Sequence, residues 1–236
     1  MPGAVDYQVR SDHRNFYSQQ SLAVAAAAFG GGAVMAHTDA DEEIRQWYQD
    51  DVRSGKTDGI ANVATHFGDG YLVVPTLGAA LLLGELADEQ SHCSVVGDWA
   101  DRSLRAALVG VPPLLVTQSL TGASRPGESS AESDWIPLHD NNGVSGHAFM
   151  GAFPCITAAK MTDNSCEKAA WYFASTLPGW SRINDDAHYT SQVLLGWSLA
   201  YLACEAVDDT EQAQLDYRFT PVPIPDGAGI GIVFER

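Results

Sequence analysis

The order of apolar and polar positions along this chain is that of a helical protein. Behind the acidic stretch Asp39-Ala40-Asp41-Glu42-Glu43, the residues Ile44, Trp47, Tyr48 and Val52 recur at helical spacing. The pattern predicts a helix with a capping-box-like start at Thr38 and Asp41 and an end near Ser54-Gly55. Acids at that start suit the positive end of the helix macrodipole, which accounts for the cluster without a bound cation. Across 71–86 and again across 99–120, apolar positions run too continuously for a helix with one wet face and too far for strands. Both segments read as helices packed on several sides, the second kinked or broken at Pro112-Pro113. Segments 146–161, 166–177 and 188–207 read as further helices, with polar turns at Thr162-Asp163-Asn164 and Pro178-Gly179 between them. The tail, FTPVPIPDGAGIGIVFER, holds two short apolar runs about a Pro-Asp-Gly turn, and it predicts a small hairpin or an irregular strap. The expected fold class is all-α, a helical bundle with a short β-hairpin or irregular tail.

Composition narrows this picture. The 236 residues are 45% hydrophobic and 18% charged, a profile of one ordered globular domain spanning 1–236. A formal charge of -17 repels polyanions, so nucleic acid is excluded as a partner class. Residues 15–38 carry no Asp, Glu, Lys or Arg, yet the run SLAVAAAAFGGGAVMA is rich in Ala and Gly, which supply little transfer free energy to a bilayer. A close-packed internal helix fits it better than a membrane span, and the polar region before it is long for a cleaved leader. Composition thus reads as soluble, with peripheral membrane association as the alternative. Gly30-Gly31-Gly32 lies in this run without a preceding strand and reads as helix packing, not a phosphate loop. Cys93, Cys155, Cys166 and Cys204 form no CxxC pair, which argues against zinc and a disulfide framework and favours structural burial.

Three segments carry candidate chemistry: QSLTGASRP at 118–126, VSGHA at 144–148 and SRINDDAHYTSQ at 181–192. A tetrahedral phosphate needs planar guanidinium groups and directional donors, and Arg125 and Arg182 supply the first. Ser145 offers a hydroxyl, and Gly146 an unobstructed backbone N–H at an electropositive helix start. For either Ser145 or Arg182 alone, an N-cap or a surface ion pair explains the residue as well. His147 and His188 add imidazoles, which exchange protons near neutral pH.

In order and internal spacing these segments resemble the signature of the type 2 phosphatidic acid phosphatase and vanadium haloperoxidase superfamily. That signature is a lysine, six residues and Arg-Pro; then Pro-Ser-Gly-His; then Ser-Arg, five residues, His, three residues and Asp. The resemblance spans about 112–201. It implies a helical bundle in which His188 attacks phosphorus to give a phosphohistidine, and His147 protonates the leaving oxygen. Gln118, Arg125, Ser145, Gly146 and Arg182 would hold the phosphate, with Gln192 orienting His188. It implies a phosphate-bearing small molecule or lipid as partner, no metal or other cofactor, and an extracytoplasmic or membrane-associated setting. The alternatives are a haloperoxidase, in which the same residues hold vanadate, and a descendant that binds phosphate without turnover.

The chain departs from the signature at three positions. Gln118 stands for the lysine and removes one cation from the anion site. Gln192 stands for the aspartate four residues beyond His188, where it can accept a hydrogen bond but supplies no negative charge. Val144 replaces the proline, and Asp185 or Asp186 is the candidate to restore the missing charge. His13, His37, His66, His92 and His139 have no such context and read as structural or surface residues, His139 lying nearest the entrance.

Overall fold

The computed structural model describes residues 2–87, 92–129, 132–215, 218–224 and 227–233. The chain runs through α1 (Pro2–Phe16), α2 (Gln19–Ala36), α3 (Ala40–Trp47), a π-helical turn (Tyr48–Val52), α4 (Gly55–His66), α5 (Gly70–Glu85), α6 (His92–Thr121), α7 (Gly146–Lys160), α8 (Ser165–Asn184) and α9 (Thr190–Leu215). Strands β1 (Arg218–Ile224) and β2 (Gly227–Val233) follow. The fold is the all-α bundle that the apolar pattern predicts, and the tail takes the hairpin form.

Side chains fix most of the helix starts. Ser18 caps α2, Asp69 caps α5, Ser145 caps α7 and Asn164 caps α8, each accepting a backbone N–H of the first turn. A full capping box forms at α4, between Ser54 and Thr57. The expected box at Thr38 does not form: its hydroxyl turns back to donate to the Val34 carbonyl, and Asp39 precedes α3 without a side-chain cap. Prolines at two places lie within helices without ending them. Pro112 and Pro113 lie inside a helix that continues to Thr121, so no break occurs there. Pro178-Gly179 is no turn, because α8 runs through it to Asn184. Burial of Pro178 against α7 outweighs the local breaker signal.

Helix α7 is the centre of the molecule. Phe149, Phe153 and Ile156 are fully buried, and α7 packs most extensively on α8 and α9, with α6 on another side. Leu195, Leu199 and Ala203 of α9, Val109 of α6 and Leu77 of α5 complete this core. The long apolar stretches of α5, α7 and α9 reflect contact on several faces, as their continuous hydrophobicity implies. The expectation of an internal α2 is overturned. Gly32 and Ala36 are buried, but Leu22, Val24 and Val34 are 49%, 46% and 64% exposed. Of its glycine triplet only Gly32 is packed, against Leu195. Small side chains let α2 approach α9 along one narrow stripe, and the rest of its surface faces outward.

The first helix is tied down by charge. Arg105 of α6 donates two 2.8 Å hydrogen bonds to Asp12 of α1 and one of 2.6 Å to Glu211 of α9, all at nearly buried positions. Among the described residues no single helix is long and apolar enough to cross a membrane; the bent pairs α2 with 40–52 and α4 with α5 meet that length and composition only together. The thiols divide. Cys204 is buried and pushed up to about 12 by burial, and partly buried Cys155 is pushed up to about 11 for the same reason. Cys93 and Cys166 are exposed, against the expectation of burial.

In the antiparallel hairpin, Ile224 pairs with Gly227, Val222 with Gly229 and Thr220 with Gly231. Pro221 and Pro223 alternate with these residues and have no N–H for a ladder. They therefore occupy positions of β1 that point away from β2.

Candidate active site

The site lies where the α6–α7 loop, the start of α7, the end of α8 and the α8–α9 turn meet. The loop folds back on the end of α6. Leu138 donates to the Ser119 carbonyl at 2.9 Å, Asp140 to Gly122 at 3.2 Å and Asn142 to Ala123 at 3.1 Å, which orders the segment that bears Arg125. The start of α7 is held from beneath by α9. Ser145 N–H donates to the Gln192 carbonyl at 2.9 Å, and Gly196 lies so close that a methyl group there would meet the Ser145 carbonyl and Ala148. That approach admits only glycine.

Four ionisable groups come together here. His188 is buried, and burial first, then the charges of Arg125, Arg182 and His147, push its imidazole down to about 4, against a rise from its bond with Gln192. His147 is half-buried and also lowered, chiefly by burial and then by Arg182, with Asp69 acting upward and Arg125 downward. Burial and Arg125 lower the Arg182 guanidinium, with Asp185 opposing them. Mutual electrostatic influence of this kind requires proximity. Arg125, His147, Arg182 and His188 therefore share one cluster, drawn from separate elements.

The Gln192 amide is oriented by three contacts. Its Oε1 accepts the Tyr189 N–H at 3.2 Å, and its Nε2 donates to the Ser124 carbonyl at 2.8 Å, so the amide cannot be flipped. The same Oε1 lies 2.8 Å from His188 Nδ1. An amide oxygen accepts only, so Nδ1 carries the proton and the Nε2 lone pair is free. Gln118 behaves differently from an anion-binding lysine. Its Nε2 donates to the Val144 carbonyl at 2.8 Å, tying the end of α6 to the residue before Ser145. Ser145 is fully buried and its Oγ accepts the Ala148 N–H at 3.3 Å, which is the cap role. Gly146 opens α7 beside the Gln118 amide.

Arg182 is anchored at one end of its fork. Nη1 donates to Thr65 Oγ1 at 3.1 Å and to Asp185 at 3.3 Å, and its buried Nε has no hydrogen-bond partner among the described residues. Arg125 is the most open of the four, its side chain 45% exposed with Glu128 nearby. Neither Asp185 nor Asp186 supplies charge to His188. Asp185 pairs with Arg182, and Asp186 forms a two-pronged pair with Arg45 at 2.6 and 2.7 Å. His139 is exposed on the α6–α7 loop.

Contributors also come from outside the signature positions. Thr65 and Asp69 come from the α4–α5 region, and Ser124 acts through its carbonyl. A fourth, Asp41, is buried on α3 and accepts both the backbone N–H and the hydroxyl of Ser191, which fixes the start of α9 just beyond His188. The Gly68-Asp69-Gly70 turn was the visible signal for Asp69, a polar break between apolar runs.

Comparison with known families agrees with the geometry. Residues 110–207, which bear every position from Gln118 to Gln192, match the model of the PAP2 superfamily. Its members are generally phosphatases, with haloperoxidase-type chemistry as the other activity of the class. No curated protein and no solved structure matches the chain significantly.

Proposed function

We propose that the protein is a metal-independent phosphohydrolase that acts on a phosphomonoester or diphosphate through a phosphohistidine at His188. The observation that carries this reading is the fixed tautomer of His188, whose free Nε2 shares a cluster with two guanidiniums and a second imidazole. Depression to about 4 keeps that ring neutral, hence nucleophilic, at any pH above that value. Arg182, with an unpaired buried Nε–H, and Arg125 at the open side supply donors to the equatorial phosphate oxygens.

Nε2 of His188 attacks phosphorus, the P–O ester bond breaks, and protonated His147 gives its proton to the departing oxygen. Water then attacks the phosphorus of the phosphohistidine, the P–N bond breaks, and His147, now neutral, takes the water proton. The His188 Nδ1–H donates to Gln192 throughout, so the imidazole keeps its orientation although no carboxylate offsets its positive charge.

The test is phosphate release by the purified protein from short- and long-chain phosphomonoesters and from diphosphates, with His188→Ala beside it. Turnover by the wild type and its loss in the variant are expected, together with an acid-labile phosphoryl group on His188 after rapid quenching. No release from any substrate, with protection against heat by inorganic phosphate, would leave a binding protein. The haloperoxidase reading is disfavoured by Gln118, a neutral residue already bonded to the Val144 carbonyl.

A further inference from the structure

We propose that Asp69 is the counter-charge of His147, and that the α4–α5 turn is the wall of the site that holds both His147 and Arg182 in place. This rests on the reading of His147 as proton donor.

The geometry starts from Gly68. It is buried against the first turn of α7, where a Cβ would come within 2.7 Å of the His147 carbonyl oxygen and 3.1 Å of the His147 Cβ. The turn therefore lies directly on the backbone of His147. One turn earlier, Thr65 accepts Arg182 Nη1 at 3.1 Å, so the same segment touches α8 on its other side. Asp69 follows Gly68 and is fixed by its own role: Oδ1 accepts the Tyr71 N–H at 2.9 Å as the cap of α5. The carboxylate is thereby fixed in the turn that lies against His147.

The charges around His147 make this placement useful. Arg182 from α8 and Arg125 from the α6–α7 loop oppose a proton on its ring, and His188 lies in the same cluster. Asp185 is engaged with Arg182. Asp69 acts in the other direction. A proton donor between two guanidiniums needs a nearby anion to be charged when substrate arrives. Asp69 is a positioning residue, one that acts on the reaction through His147.

The experiment is an NMR titration of the His147 ring in the wild type, Asp69→Asn, Asp69→Ser and Asp69→Glu, with Asp163→Asn as a control for net charge. Asn and Ser both keep a helix cap, so α5 starts as before and a folded protein is retained. The titration of His147 moves to lower pH in Asp69→Asn and Asp69→Ser, returns toward the wild type in Asp69→Glu, and stays in place in Asp163→Asn. The alkaline limb of kcat moves the same way. An unmoved His147 titration in Asp69→Asn and Asp69→Ser overturns the inference, whatever the activity. The converse result, a moved titration in a protein without phosphatase turnover, upholds the counter-charge and removes the catalytic reading instead.

Discussion

At the scale of single residues, the two imidazoles need opposite protonation states, and their environments set a pH window. His188 must be neutral and is so above about 4; His147 must be protonated and is so only below a value depressed from 6.5. For a phosphomonoester, kcat/KM is expected to follow a bell on the acidic side, rising near pH 4 and falling before pH 6.5, and a stopped assay across pH 3–8 checks it. Gln192 is better described as a bridge than as a degraded aspartate. Restoring charge by Gln192→Glu keeps an oxygen for His188 but sets a carboxylate against the Ser124 carbonyl, 2.8 Å from the present Nε2. Losing that donor is expected to lower stability by about 1–3 kcal/mol in urea unfolding, even as the His188 titration rises. The residues of the three segments were legible in sequence because their spacing is local. Thr65, Asp69 and Asp41 were not, since each acts across more than a hundred residues or through a turn whose partner only the fold reveals, as in Thr65 with Arg182.

Among elements, the site depends on how closely α9 approaches the head of α7. Gly196→Ala would push a methyl group into the Ser145 carbonyl, and the two helix ends cannot yield without moving Ser145 and His147. Overpacking of this kind is expected to cost about 1–3 kcal/mol and to reduce kcat more than KM is raised, as measured by thermal melts and steady-state kinetics. The helices themselves were readable from apolar continuity, but their ends were less so. Local breaker signals at Pro178-Gly179 lost to burial against α7, and the capping signal at Thr38 lost to a hydrogen bond back to Val34. Apolar content alone also misplaced α2, because Ala and Gly permit close packing on one stripe without requiring burial on the others.

For the whole molecule, acid sensitivity should trace to the site. The folded-state pKa of His188 is depressed to about 4 from 6.5, so the unfolded chain gains a proton first as pH falls. Its contribution is intact above pH 6.5 and is lost progressively down to about 4, on the order of 3 kcal/mol in all. Buried Asp41 is raised and works in the opposite sense, over the range above its ordinary 3.8. Urea unfolding at pH 7 and pH 4.5 should therefore show a smaller pH penalty in His188→Asn than in the wild type. Far from the site, Arg105→Met would strand the buried Asp12 without a partner and loosen α1 from α6 and α9, at an expected cost of about 3–5 kcal/mol in the same measurement. The C-terminal hairpin has a consequence of another kind. With prolines at two of the three outward positions of its first strand, a stray extended chain finds only the Phe219 amide hydrogen on that flank, so sheet growth is favoured from the glycine-rich flank. A ribbon with one flank so poor in donors is a weak middle for an open-ended stack.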